Sequence, residues 1–588
     1  MNISLPTPPR PAPPAAAADD AEAAARFAQL GRLDNLIHAA EGRATLGLSP
    51  TALGLAWLDW ATHLANAPFR RLGLARDAAH QARRFWEAAA SGQIAIAPPP
   101  GDHRFADPGW QRPPFHLIHQ GFLLAEEWWR EAAMGPEGTA RANDRMVAFA
   151  ARQWLDFFSP SNIPWLNPEV IAATAASGGR NLAAGTANFL NDLHGALGDR
   201  PNASGFRVGT DIAATPGKIV LRNELIELIQ YAPTTPTVRP EPVLIVPAWI
   251  MKYYILDLSL ENSLIRWLVA RGFTVFALSW RNPGAAQRDL SLDDYRRLGV
   301  LAAMEAACDI AGAARLHAVG YCLGGTLLAI AAAAMARDGD DRIASVTLFA
   351  AQTDFTEAGE LQLFITEEQL HFLDDLMAAQ GFLDSRQMAG AFQLLRSNDL
   401  IWSRAVRGYL LGEREHPSDL MAWNADGTRM PARMHGEYLR RMFLDNDLAE
   451  GRLPVAGHPV SLGDIRAPFY VVGTETDHIA PWRSVYKLHL LNDGEMRFVL
   501  TSGGHNAGVV SEPGHPHRHY RAATRTHGDR YLGPEEWMEA APPSVGSWWP
   551  DWAAFLAARS GPAVAPPAMG SARFPAGEAA PGRYVHEH

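Results

Sequence analysis

Six short apolar runs recur after Arg207: PVLIVPAW, FTVFALSW, LHAVGY, IASVTLFA, APFYVVG and MRFVLT. Helix-length segments separate them, and this spacing narrows the possible folds more than any other feature of the chain. Runs that are apolar throughout, rather than alternating, belong to strands buried on both faces, which is the condition of a parallel sheet covered by helices. The second half of the chain is therefore expected to be an α/β domain. The stretch from about Asp354 to Pro454 breaks the rhythm with helical sequence and loops bearing Trp, Met and His, so it reads as a cap inserted between two strands. From Ala21 to about Leu197 the pattern is mostly helical, with Ala-rich amphipathic runs and few β-branched clusters. Two Pro-rich connections, APPPGDHRFADPGWQRPPF and SPSNIPWLNPEV, punctuate that part. The expected organisation is a disordered Pro/Ala-rich leader over 1–20, a helical N-terminal domain over 21–206, an α/β catalytic domain over 207–560 with its cap at about 354–454, and a disordered tail over 561–588.

Composition limits the function classes. The 588 residues are 47% hydrophobic and 20% charged, the balance of a soluble globular protein with ample material for a core. A net charge of -11 argues against a general nucleic-acid binder. Eighteen tryptophans point to contact with apolar or amphipathic material as well as to core packing. With only Cys308 and Cys322, a disulfide scaffold is not expected, and a reducing cytoplasm fits. The N-terminus lacks the basic and apolar regions of a secretory signal. The most apolar helical stretch, Leu323 to Met335, is shorter than the roughly 20 residues that span a bilayer.

The chemistry begins at LHAVGYCLGGTLLAIAAAAMA, residues 316–336. An apolar strand runs into a strong helix former through Gly320, Cys322 and Gly324, the G-x-nucleophile-x-G spacing of a strand-to-helix elbow. The glycines suit a turn too sharp for side chains. The helix N-terminus supplies positive potential that favours a thiolate. Cys308, in MEAACDIAG, sits on an ordinary helix and reads as structural.

A nucleophile needs a base and an orienting carboxylate further along the chain. APFYVVG is followed by TETDHIAPW, which puts Asp477 and His478 at a strand end, and MRFVLT is followed by SGGHNAGVV, which puts His505 on the next loop. Open α/β sheets gather functional loops at such ends. His505 is the candidate base and Asp477 its orienting acid, with Glu475 and His478 as substitutes. Backbone N–H groups of Leu323 and of Ala248 or Trp249 are candidate oxyanion donors. Sulfur at the elbow suits thioester exchange, because the acyl-enzyme stays activated for transfer to an acceptor other than water.

The surrounding segments carry a family resemblance. GDHRFADPGWQRPPFHLIHQGFLL, SPSNIPWLNPEV, TPGKIVLRNELIELIQY, VPAWIMKYYILDL, SWRNP, GYCLGG, QTDFTEAGEL, SNDLIWSRAVRGYL and TETDHIAPW together resemble polyhydroxyalkanoate synthases, bacterial enzymes that polymerise (R)-3-hydroxyacyl-CoA into storage polyester. The resemblance implies an α/β-hydrolase core with an inserted cap behind a helical N-terminal domain, and it places Cys322, Asp477 and His505 on the family's catalytic triad. It also implies release of CoA through an acyl-cysteine, no cofactor beyond the CoA thioester that is itself substrate, a growing polyester chain and granule surface as partners, a homodimer, and a cytoplasmic location at granules. The N-terminal region looks like that of the single-subunit forms, often selective for short chains such as 3-hydroxybutyryl-CoA. A cysteine-dependent thioesterase or polyester hydrolase, and a granule-surface scaffold of little activity, are the competing readings. The chain departs from the family at Ser418 and Ala422, where aromatic residues are usual and a wider acyl pocket or looser cap is expected. It departs again at Asn506, which follows the triad His in place of an apolar residue. His515, His517 and His519 in EPGHPHRHYR read as a solvated loop, with a metal or CoA-phosphate site as the alternative. Arg281 in SWRNP is a phosphate ligand or the holder of a loop carboxylate, and Asp257 reads as structural.

Overall fold

The computed structural model describes residues 34–588 except 35, 36, 39, 43, 44, 46, 100, 198–204 and 415. The leader expected over 1–20 lies outside the described residues.

Among the described residues, six longer helices precede the sheet: α1 (Pro50–Ala65), α2 (Pro68–Ser91), α3 (Phe115–Ala133), α4 (Arg141–Phe157), α5 (Pro168–Ser177) and α6 (Arg180–Leu197). Local signals explain several boundaries. Ser49 and Asn167 accept hydrogen bonds from the first turns of α1 and α5, each of which carries Pro at its start. Arg104, between α2 and α3, is buried against Asp102, Glu126 and Asp156 at 2.8, 2.8 and 3.4 Å. Asp156 also accepts a hydrogen bond from Ser397 Oγ at 2.6 Å, which ties the helical domain to the stretch expected to form the cap.

A ten-stranded sheet follows. β1 (Gly217–Arg222) and β2 (Ile226–Tyr231) are an antiparallel pair at one edge. β3 (Val243–Val246), β4 (Val275–Trp280), β5 (Leu316–Tyr321) and β6 (Ile343–Phe349) are parallel. Two small ribbons come next in the chain, β7 (Phe382–Leu383) with β8 (Met430–Pro431), and β9 (Pro454–Val455) with β10 (His458–Pro459). β11 (Phe469–Thr474) and β12 (Met496–Thr501) extend the parallel set, and β13 (His519–Arg525) and β14 (Pro543–Val545) finish it antiparallel. The spatial order is β1-β2-β4-β3-β5-β6-β11-β12-β13-β14. Its six parallel strands are the six apolar runs of the sequence. The strand order reverses around β3, so the loops after β3 and β5 open beside one another at the sheet's C-terminal edge, where such folds bind ligands.

Both faces of the sheet are covered. α7 (Leu323–Arg337) buries its apolar and alanine residues on one face. Between β6 and β11 lie α8 (Glu367–Gln380), α9 (Ser385–Leu395) and α10 (Ala432–Tyr438), of which α9 and α10 reach over the loop after β5. On the other face, α11 (Trp549–Ala557) and the preceding Trp548 pack against Phe349 and Tyr470. The indoles of Trp548, Trp549 and Trp552 donate to Gly508 O, Val509 O and Thr347 Oγ1, each at 3.0 Å. Part of the tryptophan excess is thus core, while Trp57, Trp86, Trp154 and Trp165 on the helical domain are more than half exposed.

The tail corrects one expectation. Residues 561–588 are ordered along the β1 edge, with Ile219 N donating to Glu578 O at 2.9 Å, Gly577 N to Ile219 O at 2.8 Å and Ala580 N to Gly217 O at 3.0 Å. The tail also satisfies polar side chains buried in β2. Glu227 accepts from Arg583 N and Tyr584 N at 2.8 and 3.0 Å, and Gln230 bonds Ala568 O and Gly570 N at 2.9 and 2.7 Å. A Pro/Gly/Ala-rich composition signals only that a segment builds no core of its own. Here it lends backbone groups to an exposed strand edge and to side chains that would otherwise be buried unpaired.

Candidate active site

Cys322 sits between the end of β5 and the first residue of α7 with φ 52° and ψ -123°. A side chain at this left-handed φ is strained by about 1–3 kcal/mol, a cost found at nucleophile turns. The neighbouring glycines explain how the turn survives. A Cβ on Gly320 would lie 2.3 Å from Gly325 Cα, and one on Gly324 would lie 2.2 Å from Val246 O. Both clashes are with backbone, so neither position can take a side chain.

Asp477 leaves the end of β11 and His505 lies on the loop after β12. His505 Nδ1 meets Asp477 Oδ2 at 2.7 Å, and the Cys322 side chain lies close enough to act on the charge of the ring. Asp477 Oδ1 accepts from Ile479 N and Ala480 N at 2.8 Å each, and Oδ2 accepts from Thr474 Oγ1 at 3.1 Å. Burial alone would push the His505 imidazole down, but the charges of Asp477 and Cys322 outweigh it and hold the ring well above the ordinary histidine range. Burial likewise pushes Asp477 up, and its His505 partner and backbone donors more than compensate, leaving it below the usual carboxylate value.

The substitutes do other things. Glu475 pairs with His519 at 3.1 Å, and His478 faces a separate cavity of about 760 Å³ between α3, α4 and the loop after β6. The cavity at Cys322 is lined by Ile250 and Leu323 and has a volume of about 80 Å³. Leu323 therefore stands where an oxyanion donor was expected. Ala248 and Trp249 are buried short of the cavity, and the Trp249 ring packs on Tyr295 and Tyr438, so Ile250 is the residue of that loop that reaches the cavity.

Comparison with known proteins places this geometry in a family. Residues 101–268 match the family described as the poly-beta-hydroxybutyrate polymerase (PhaC) N-terminus, residues 28–70 match poly-beta-hydroxybutyrate polymerase N terminal, and residues 241–511 match the alpha/beta hydrolase fold. The chain is 41% identical over 495 residues to the poly(3-hydroxyalkanoate) polymerase of Methylorubrum extorquens, covering 83% of this chain and 81% of that one. The chain belongs to the poly(3-hydroxyalkanoate) polymerase family. It is also 39% identical to the polymerase subunit PhaC of Cupriavidus necator, over 85% of each chain, and 35% identical to polymerase 2 of Ectopseudomonas oleovorans, over 84% of this chain and 88% of that one. The protein is thus a polyhydroxyalkanoate polymerase, an acyltransferase on an α/β-hydrolase fold.

The polymerase's departures from its family find local explanations. Ser418 caps the short helix Asp419–Asn424, its Oγ accepting from Met421 N at 3.2 Å, and Ala422 is buried beside Trp423. Neither lines the cavity at Cys322, so the expected widening of an acyl pocket is not seen there. Asn506 Oδ1 accepts from Tyr321 Oη at 2.6 Å, which ties the His505 loop to the residue preceding Cys322. Among the described residues no group of three or more His, Cys, Asp or Glu could hold a metal ion. His515 Nδ1 instead bonds Pro516 O at 2.8 Å, and the backbone of His517 has a φ of 64°. Arg281 holds the Glu587 carboxylate of the tail at 3.5 Å and lies over the Tyr584 ring. Asp257 is a buried acceptor for Ser263 Oγ at 2.6 Å and for Thr215. Among the described residues no helix is long and apolar enough to cross a membrane.

Proposed function

We propose that this polymerase extends polyester from (R)-3-hydroxyacyl-CoA, with 3-hydroxybutyryl-CoA as the first candidate, through an acyl thioester on Cys322. The observation that carries the reading is the strained elbow of Cys322 together with the hydrogen-bonded His505–Asp477 pair whose ring feels the sulfur. His505 takes the Cys322 proton, and the sulfur attacks the thioester carbonyl carbon. The carbonyl reforms as the bond to CoA sulfur breaks, and His505 returns the proton to CoA, which leaves as a thiol. The 3-hydroxyl oxygen of another unit then attacks the acyl carbon, its proton passes to His505, and Cys322 is released to be protonated again. Each cycle forms one ester and frees one CoA. Asp477 holds the imidazole and stabilises its charge. Leu323 N–H, at the start of α7, serves the oxyanion, with Ile250 N–H as the candidate second donor.

A cavity of about 80 Å³ is well below the 300–1,000 Å³ typical of small-molecule sites, so α9 and α10 must move for substrate to reach Cys322. The chemistry further supports a cytoplasmic enzyme that works at a granule surface, with a second copy as its partner. The test follows CoA release and turbidity together with purified protein and (R)-3-hydroxybutyryl-CoA, beside Cys322→Ala. CoA release with insoluble polyester, absent in the variant, is expected. Release with soluble free acid would move the assignment to a thioesterase, and no release from this or longer substrates would overturn it in favour of a scaffold.

A further inference from the structure

The roof of the Cys322 cavity carries a second histidine that the mechanism does not use. His435 stands on α10 and lines the cavity with Tyr438 of the same helix. The other polar side chains around the cavity are spoken for. Thr326 Oγ1 donates to Gln352 O at 2.8 Å, and Gln352 Nε2 donates to Ser484 Oγ at 3.1 Å. His435 is buried, and its Nδ1 has no hydrogen-bond partner among the described residues. Most of the remaining lining is apolar, including Ile250, Leu323, Phe355, Met388 and Phe392. A buried polar atom without a partner costs stability, and its retention beside a reactive group calls for a ligand that completes it.

We propose that His435, with the hydroxyl of Tyr438 beside it, forms a subsite for the 3-hydroxyl of the acyl unit bound at Cys322. Of the groups on a 3-hydroxyacyl chain, the thioester carbonyl goes to the oxyanion donors and the carbon skeleton to the apolar lining. Only the 3-hydroxyl needs a buried polar partner, and the lining that includes Cys322 offers one in His435. Burial pushes the His435 imidazole down to about 4, so at neutral pH one ring nitrogen donates and the other accepts, as a hydroxyl can use. The inference rests on the acyl-cysteine reading and adds a basis for preferring hydroxyacyl over plain acyl thioesters.

The experiment measures acylation of Cys322 in a single turnover, with (R)-3-hydroxybutyryl-CoA and with butyryl-CoA, which lacks the hydroxyl. Wild-type protein is expected to prefer the hydroxylated substrate. In His435→Leu the rate constant for hydroxybutyryl-CoA should fall about tenfold or more, as when a bound hydroxyl loses its buried partner, while butyryl-CoA changes less than about twofold. His435→Gln, which keeps a neutral donor and acceptor, should restore the preference, and it is the variant to rely on if the leucine variant folds poorly. Equal losses on both substrates, or unchanged preference in both variants, would overturn the subsite and leave the acyl-cysteine intact. Absence of acylation of the wild type by either substrate would instead remove the reading beneath it.

Discussion

At Cys322 and its partners, opposing effects decide the chemistry. His505 is buried, which works against its charge, yet Asp477 and the sulfur hold the proton on it. A folded-state value above the ordinary 6.5 gives a contribution that is complete below that pH and is lost as the pH rises through the folded value. Asp477 runs the other way: its contribution is present above its ordinary 3.8 and is lost as the pH falls through the lower folded value. In the rate profile the acid limb should report His505, which must be unprotonated to take the Cys322 proton. Asp477→Asn is expected to lower kcat/KM by about 10³–10⁴ while leaving the fold intact, and to shift that limb to lower pH. Rates of CoA release across the pH range check both. The Cys, Asp and His were legible because each follows an apolar run that could only be a buried strand. His435 was not, since ARMHGEY shows no periodic signal and its place over Cys322 arises from packing distant segments.

The elements divide by how their partners are distributed along the chain. The six parallel strands read directly from the sequence because burial on both faces leaves a continuous apolar run. The antiparallel edges did not. IELIQY of β2 carries Glu227 and Gln230, which look solvent-facing, yet all six residues are buried; Gln230 and, beside its neighbour Arg222, Glu227 find partners more than 300 residues away in the tail. Glu227→Ala removes the acceptor for the buried Tyr584 N–H, at about 1–3 kcal/mol when left unpaired, and for the less buried donors of Arg583 and Arg222. The expected result is a lower Tm and faster hydrogen exchange confined to residues 561–588 and β1. Uniformly faster exchange would mean that the tail does not form a separate layer on the sheet. At the elbow, Gly324→Ala sets a methyl against the Val246 carbonyl, with nowhere for backbone to yield. It should cost at least about 1–3 kcal/mol and abolish CoA release, measured by denaturant unfolding and by the thiol assay.

Across the whole molecule, buried charge joins parts that the sequence separates. Arg104 pairs with three carboxylates in the helical domain, one of which binds Ser397. Arg104→Met leaves those carboxylates facing one another and should destabilise by about 3–5 kcal/mol, seen as a separate early unfolding step if the helical domain lets go first. Neutral buried histidines set the acid limit. Burial brings His317 and His435 down to about 4 and His489 down to about 3. The unfolded chain takes up these protons first, so their contribution is full above about pH 6.5 and drains as the pH falls towards 4. Calorimetric Tm should fall steadily over that interval, and His489→Phe, which replaces a ring with both nitrogens unpaired, should flatten the fall. The tail along β1 can also be viewed as a ligand that the protein carries for itself. Tethering fixes its local concentration, so weak edge contacts stay formed without any one of them being strong. Cleaving the chain after Ser560 would turn that intramolecular contact into a dilutable one, and a free peptide of residues 561–588 added back would restore the edge only at concentrations that replace the lost tether.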